Sequence, residues 1–366
     1  MAGPPYDVAI IGLGVMGSAA AWHLARRGLR VLGLEQFTPA HDRGSSHGLS
    51  RVIRQAYFEH PDYVPLVLRA YALWTELEKE SGRSLFTRTG AFMVGRPQCA
   101  VVQGSRTSAQ VHGLRHRMLS GAEFRARFPF IRLRDDEVAL EEFDAGVLQA
   151  EEAVLALQEE ARRHGAELRF GVRAGIGEPP ARKLVVTAGA WLGELVPGLP
   201  LQAERQVLYW FDPLSERDRI PLFIWDRDGR PFYSIPDVHR HGLGMKVAFH
   251  HHGERTTPGR LRREVEPAEI EEMRRRLAET VPCLSGPLRK SAVCMYTNTP
   301  DENFAIGLLP SNPDVIVASP CSGHGFKFAP VVGEILADLA EHGATRHPLS
   351  LFRLDRFGAP PSAPPS

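Results

Sequence analysis

The chain has 366 residues, 43% of them hydrophobic, a length that suits two domains better than a single core. Its 44 basic and 43 acidic residues leave a formal charge of +1, which argues against nucleic acid or an anionic membrane as a partner. No apolar run approaches a membrane span, no signal peptide is expected since the chain enters a strand almost at once, and Cys99, Cys283, Cys294 and Cys321 show no zinc-type pairing. A cytoplasmic, metal-free protein is expected.

The first predicted unit is the most informative. An apolar run, Tyr6–Ile11, leads directly into Gly12, Gly14 and Gly17, and a second run ends at Glu35. This is a βαβ dinucleotide fingerprint in its full context. Gly12 makes the tight turn, Gly14 lets backbone approach a pyrophosphate, and Gly17 lets a helix over Ser18–Arg27 lie close to the sheet. The helix N-terminus then faces the phosphates. Glu35 accepts hydrogen bonds from ribose hydroxyls and repels a 2′-phosphate, which disfavours NADP.

The segment Gly44–Arg54 is polar, glycine-bearing and basic. Ser45 and Ser46 are candidates for the pyrophosphate and Arg51 and Arg54 for an anion; a surface loop with two solvated arginines is the competing reading. Apolar spacing predicts amphipathic helices over Asp62–Lys79, Ser120–Phe128 and Ala153–His164. Leu184–Trp191 reads as a buried strand running into a small-residue turn, and 206–250 as an antiparallel sheet. A charged helix is predicted over Glu266–Thr280. A last parallel-type strand, Val315–Ala318, enters the turn 322–328 and a helix over Ala329–Ala340. Because nucleotide-type segments at 6–35 and 315–340 enclose the rest, the domains must interleave. Residues 357–366, rich in Pro, Ala and Ser, read as a disordered tail.

Only five of the 44 basic residues are lysine, and two of those, Lys246 and Lys327, stand in apolar, glycine-bearing stretches. Surface lysines rarely have such neighbours, whereas a buried lysine has a tunable charge, so both are expected to line a site.

Together the fingerprint, Gly-Ser-Ser-His-Gly-x-Ser-Arg-x-Ile-Arg (44–54), Cys-Met-Tyr-Thr-Asn-Thr (294–299) and Ser-Gly-His-Gly-Phe-Lys (322–327) resemble the monomeric sarcosine oxidase family, over nearly the whole chain. Its relatives include N-methyltryptophan and pipecolate oxidases, within the D-amino-acid-oxidase-like flavoproteins. The resemblance implies an α/β fold in which a Rossmann-like FAD-binding domain (1–84, 146–198 and 294–356) interleaves with an α+β substrate domain (85–145 and 199–293) built on an antiparallel sheet. It implies FAD, joined to Cys294 by a thioether, and a monomer.

The same resemblance assigns Arg54 and Lys327 to the substrate carboxylate, and Lys246 to the flavin ring and its reaction with oxygen. Arg51 becomes a second basic group at the flavin, His47 a histidine near the ring, and Tyr233, His250 and Tyr296 the lining of the amine pocket. Gly323 and Gly325 join the cofactor turn, and Ala174 the adenine end. The chemistry implied is hydride transfer from the carbon beside a neutral secondary amine, then hydrolysis of the imine and release of hydrogen peroxide. Sarcosine is the expected substrate. Pipecolate, proline, a bulkier N-methyl amino acid, or a dehydrogenase passing electrons to another acceptor are the alternatives. The chain departs from the family pattern in an abbreviated 170–183 segment, in Leu49, in the polar run His239-Arg240-His241, and in Cys321.

Overall fold

Three sheets organise the residues described in the computed structural model, 4–215 and 219–358. The first has six strands, ordered in space as Ala305–Leu309, Asn312–Ser319, Ala181–Val186, Tyr6–Ile11, Val31–Glu35 and Glu167–Phe170. All neighbours are parallel except the edge strand Ala305–Leu309. Its strands are near-continuous apolar runs because both faces are covered. Val8, Ile10, Val185 and Ile316 face the helices Val15–Arg26, Ala150–Arg163 and Ala329–His342. Ala9, Ile11, Leu34, Val186 and Val317 face a second core with Leu192, Val196 and Leu354.

The second sheet has nine strands, in the order Arg255–Thr256, Gln202–Phe211, Met245–Phe249, Arg230–Ile235, Phe223–Arg227, Ala91–Gly95, Val138–Glu142 and His116–Leu119, with Leu288–Asn298 also paired to Gln202–Phe211. It is antiparallel apart from one parallel pair, Phe223–Arg227 with Ala91–Gly95. Its inner face carries an aromatic core that includes Phe92, Phe124, Tyr209, Phe223, Trp225 and Phe232. A small third sheet joins Ser50–Ile53, Gly146–Gln149 and Phe86–Arg88.

The predicted helices are found, with ends shifted by a few residues: Tyr63–Ser81, Gly121–Arg127 behind a Ser120–Glu123 capping box, Ala150–Arg163, Pro267–Thr280 and Ala329–His342. A helix over Ala100–Val111 went unpredicted. The strand Leu288–Asn298 runs unbroken through residue 294, where the expected domain segments change, and places Cys294 opposite Gln206. The expected tail lies, from 359 onward, outside the described residues. Among the described residues no helix is long and apolar enough to cross a membrane.

Candidate functional site

One large cavity opens at the carboxyl ends of the parallel strands and continues to the face of the nine-stranded sheet. The fingerprint forms its floor. Gly12 has φ +92°, and a Cβ there would meet the Thr187 carbonyl oxygen at 2.7 Å. A Cβ on Gly17 would fall 1.9 Å from the Gly12 carbonyl oxygen, so neither position accepts a side chain. Gly14 precedes the helix Val15–Arg26 and offers no side-chain cap; the Val15 N–H donates to Ser46 Oγ (3.1 Å). A helix N-terminus whose N-cap residue has no side chain, with the Ser46 hydroxyl beside it, is a fitting cradle for a diphosphate.

Glu35 ends its strand with its carboxylate accepting from the N–H groups of Leu13 (2.9 Å) and Phe37 (3.0 Å). His41 Nε2 approaches it at 3.4 Å. Burial pushes this carboxyl up, but the His41 and Leu13 contacts outweigh it and hold the group below its ordinary value. Ala174 lines the cavity with Glu35 and Trp191, and the Val172 N–H donates to the Glu35 carbonyl (2.8 Å), which brings the abbreviated segment to the ribose end. His41 carried no motif and went unpredicted, whereas Trp191 and Thr187, whose Oγ1 donates to the Gly12 carbonyl (2.8 Å), belong to the strand and small-residue turn 184–191, where close approach of backbone to a cofactor is expected.

Beyond the diphosphate cradle the loop 44–50 packs on Leu288–Asn298. Ser45 Oγ donates to the Met295 carbonyl (2.7 Å), and Arg51 donates to the carbonyls of Ser45 (2.7 Å) and Ser50 (2.8 Å). The Glu151 carboxylate accepts from the N–H groups of Gly48 (2.7 Å) and Leu49 (2.9 Å), which pins a stretch where both residues have positive φ. Cys294 is 3% exposed and lines the cavity, with Sγ 4.0 Å from the Ser45 carbonyl oxygen. Cys321 also lines it, and burial pushes its thiol up to about 11, so it stays protonated.

The far end collects cations and aromatics. Arg54 is 2% exposed; its guanidinium grips both Glu59 carboxylate oxygens (2.7 and 2.6 Å) and lies 4.2 Å from the ring centroids of Tyr57 and Phe58. Lys327 Nζ donates to the His324 carbonyl (2.7 Å), and burial, then the Arg54 charge, lower its pKa to about 7. The turn beneath it requires Gly325, where a Cβ would sit 1.5 Å from the Pro320 carbonyl oxygen. Gly323 lies against Tyr296 and His250. His250 Nδ1 is 3.1 Å from Tyr296 Oη, and burial, then His251, keep this imidazole neutral. Tyr233 completes the wall, its phenol pushed up to about 12 by burial. Glu59 was not anticipated, since nothing in its local sequence marks it as the partner of Arg54.

Of the residues expected at the site, three stand off the main cavity. Gly17 acts through packing beneath it. His47 is buried behind the loop with Nε2 unpartnered, and burial holds its pKa near about 3. Lys246 is 2% exposed and donates to the carbonyls of Gly48 (2.9 Å) and Ser50 (2.7 Å). It lines a small neighbouring cavity instead, with Trp210 and Leu243.

A family model described as FAD dependent oxidoreductase (DAO) matches residues 7–339. The chain is 47% identical to monomeric sarcosine oxidase of Streptomyces avermitilis, over 98% of this chain and 100% of that protein. It is 35% identical to N-methyl-L-tryptophan oxidase of Salmonella heidelberg, over 96% and 99%. Among solved structures, L-proline dehydrogenase from P. horikoshii superposes with a TM-score of 0.83, covering 97% of this chain and 98% of that one at 22% identity, a likeness of fold.

Proposed function

Because this chain belongs to the FAD dependent oxidoreductase (DAO) family, we propose that it is an oxidase of secondary amino acids that acts on sarcosine. Sarcosine, oxygen and water give glycine, formaldehyde and hydrogen peroxide. The observation that carries this reading is a single cavity running from a dinucleotide cradle at Gly12–Glu35 to two buried cations, Arg54 and Lys327, beside a neutral wall of Tyr233, His250 and Tyr296. The name of the relative at 47% identity agrees with it, and the name of that at 35% identity agrees with an oxidase of N-methyl amino acids.

FAD, when bound, supplies the two-electron acceptor. Gly12, Gly14, Ser46 and the helix N-terminus hold its diphosphate, and Glu35 a ribose hydroxyl. Ser45 and Arg51 support the ring end, and Cys294 is the thiol for covalent attachment. Arg54 and Lys327 take the substrate carboxylate as a planar fork and a point charge. Those charges, with Arg51, disfavour a bound ammonium and favour the neutral amine that oxidation requires. His250, kept neutral, can accept the amine N–H and fix the orientation of the carbon to be oxidised. The chain acts as a monomer, as the names of its relatives say of them.

The test is the visible spectrum of the purified protein, oxygen-free, before and after sarcosine. Flavin bands that bleach with sarcosine and return in air are expected. Bands that persist overturn sarcosine and move the assignment to pipecolate, proline or a larger N-methyl amino acid. Bands that bleach but do not return in air overturn the oxidase in favour of a dehydrogenase. The covalent bond has its own check. Acid precipitation should leave the yellow colour in the wild-type pellet, whereas Cys294→Ala should release it to the supernatant; colour lost from the wild-type pellet rejects the bond.

A further inference from the structure

Tyr57 is fully buried and does not line the main cavity, yet it touches both Arg54 and Lys327. The Arg54 guanidinium lies over its ring, 4.2 Å from the centroid. Tyr63 stacks on the same ring at 4.8 Å, and Phe328 meets it edge-on at 5.1 Å, so the ring has no room to move. Lys327 Nζ stands 3.5 Å from the Tyr57 hydroxyl oxygen, and His324 Nδ1 lies 2.6 Å from that oxygen. On the other side of the imidazole, His324 Nε2 is 3.0 Å from the Glu302 carbonyl oxygen.

These contacts fix the direction of every hydrogen bond in the row. A carbonyl only accepts, so Nε2 carries the imidazole proton. Burial lowers the His324 pKa to about 4 and keeps the ring neutral, which leaves Nδ1 a bare acceptor. Burial also keeps the Tyr57 phenol protonated, so its O–H donates to Nδ1 and its oxygen lone pairs are left for Lys327. With the other tautomer the Tyr57 O–H would turn to the His324 carbonyl oxygen, 3.2 Å away, and compete for it with Lys327. Lys327 has three donors. One goes to the His324 carbonyl (2.7 Å) and one to Tyr57, and the third remains for a guest in the cavity.

We propose that Tyr57 and His324 are positioning residues for the substrate carboxylate. The ring of Tyr57 backs Arg54, and its hydroxyl, oriented by His324, holds Lys327 so that the free ammonium donor is aimed at the carboxylate. The proposal rests on the reading of Arg54 and Lys327 as the carboxylate clamp. A lysine side chain is long and rotamer-rich, and a second fixed contact removes the freedom that binding would otherwise have to quench. An oriented lone pair facing the ammonium also favours its charged form. Besides burial, the charged groups that act on Lys327 are Arg54 and Arg51, which oppose its charge, and Glu59 and Glu142, which favour it.

The test measures butyrate, a carboxylate without an amine, binding to oxidised holoenzyme through the change in the flavin spectrum, so no turnover is needed. Tyr57→Phe keeps the ring beside Arg54 and removes the hydroxyl. It should raise the butyrate dissociation constant at pH 6 by about 10-fold, the effect of losing one hydrogen bond to a charged group. The pH at which affinity falls should also move down, because Lys327 loses an acceptor that favours its ammonium. In a Lys327→Met background the same substitution should change affinity by less than about 2-fold, since the hydroxyl acts through the ammonium. His324→Leu should act like Tyr57→Phe, and serves if that variant does not fold. His324→Asn, whose amide oxygen takes the place of Nδ1 as acceptor, should stay within about 3-fold of wild type. An equal loss in both backgrounds, or an unmoved pH profile, overturns the positioning role and leaves the clamp standing. Wild-type protein that does not bind butyrate overturns the clamp itself, and the proposal with it.

Discussion

Lys246→Met should slow reoxidation of the reduced flavin by at least about 100-fold, the effect of removing one preorganised donor from a site of developing negative charge. It should leave anaerobic reduction by sarcosine nearly untouched. The split follows from position: Lys246 lines a different cavity from the one that holds Arg54 and Lys327, so it does not touch the amine. Met keeps most of the side-chain volume and removes the charge. Burial, then the neighbouring Arg51, press the Lys246 pKa well below its ordinary value, so the folded protein already bears a cost for this cation. An apolar replacement of such a group is often neutral or stabilising. Against this, the Gly48 and Ser50 carbonyls lose a donor, at about 1–3 kcal/mol for a buried acceptor left unpaired. The two effects oppose each other, and the variant should stay folded and yellow. Stopped-flow of both half-reactions decides the matter; equal slowing of the two rejects a role confined to oxygen.

Why Lys246 was recognisable in the sequence while its location was not is instructive. A lone ammonium in Gly-Leu-Gly-Met-Lys-Val-Ala-Phe advertises itself through its neighbours, and so does Lys327 in Gly-His-Gly-Phe-Lys-Phe. The Gly12–Glu35 unit is likewise local: turn, helix entry and acidic strand end all lie within one βαβ segment, and the demand that Gly17 answers is made by the Gly12 carbonyl inside it, although Gly12 itself also meets Thr187 from a distant strand end. What faces Lys246, by contrast, depends on the cross-strand register with Trp210 and on carbonyls from a loop nearly two hundred residues earlier. The grip of Arg54 on Glu59, the turn of His324 toward Tyr57, and the pinning of Gly48 and Leu49 by Glu151 are side-chain pairings of the same kind. No periodicity encodes them, since they follow from packing of elements already formed.

The affinity for a carboxylate should fall as pH rises through about 7, and Lys327→Met should both weaken it and remove most of that dependence. Lys327 is buried, and its ammonium is held between the His324 carbonyl and Tyr57 Oη, with its backbone carbonyl anchored by Trp74 Nε1 (2.8 Å). Its pKa of about 7 comes from burial first and the Arg54 charge second. The free protein therefore carries this charge below that pH and loses it above. A bound carboxylate favours the charged form, so binding above about 7 must take up a proton, and the dissociation constant rises by up to about tenfold per pH unit. Butyrate is the probe, because it keeps the length of sarcosine and has no amine to titrate. Losing the charge-assisted contact in Lys327→Met should cost about 1.5–3 kcal/mol, roughly 10- to 150-fold in affinity at pH 6. A second group complicates the residue: Glu142 is buried, accepts from the N–H groups of Gln55 (2.5 Å) and Ala56 (3.0 Å), and burial raises it to about 7. Its ionisation adds negative charge near Arg54 over the same range, with the same sign. Whatever slope survives in Lys327→Met should then vanish in the Lys327→Met, Glu142→Gln double variant. Stability gives an independent reading with its own sign. A lysine depressed on folding contributes stability that is complete above its unfolded value near about 10.4 and is lost as pH falls toward about 7. The melting temperature of wild type relative to Lys327→Met should therefore climb from pH 6 to pH 9. A butyrate affinity flat across that range in wild type would remove Lys327 from the carboxylate clamp.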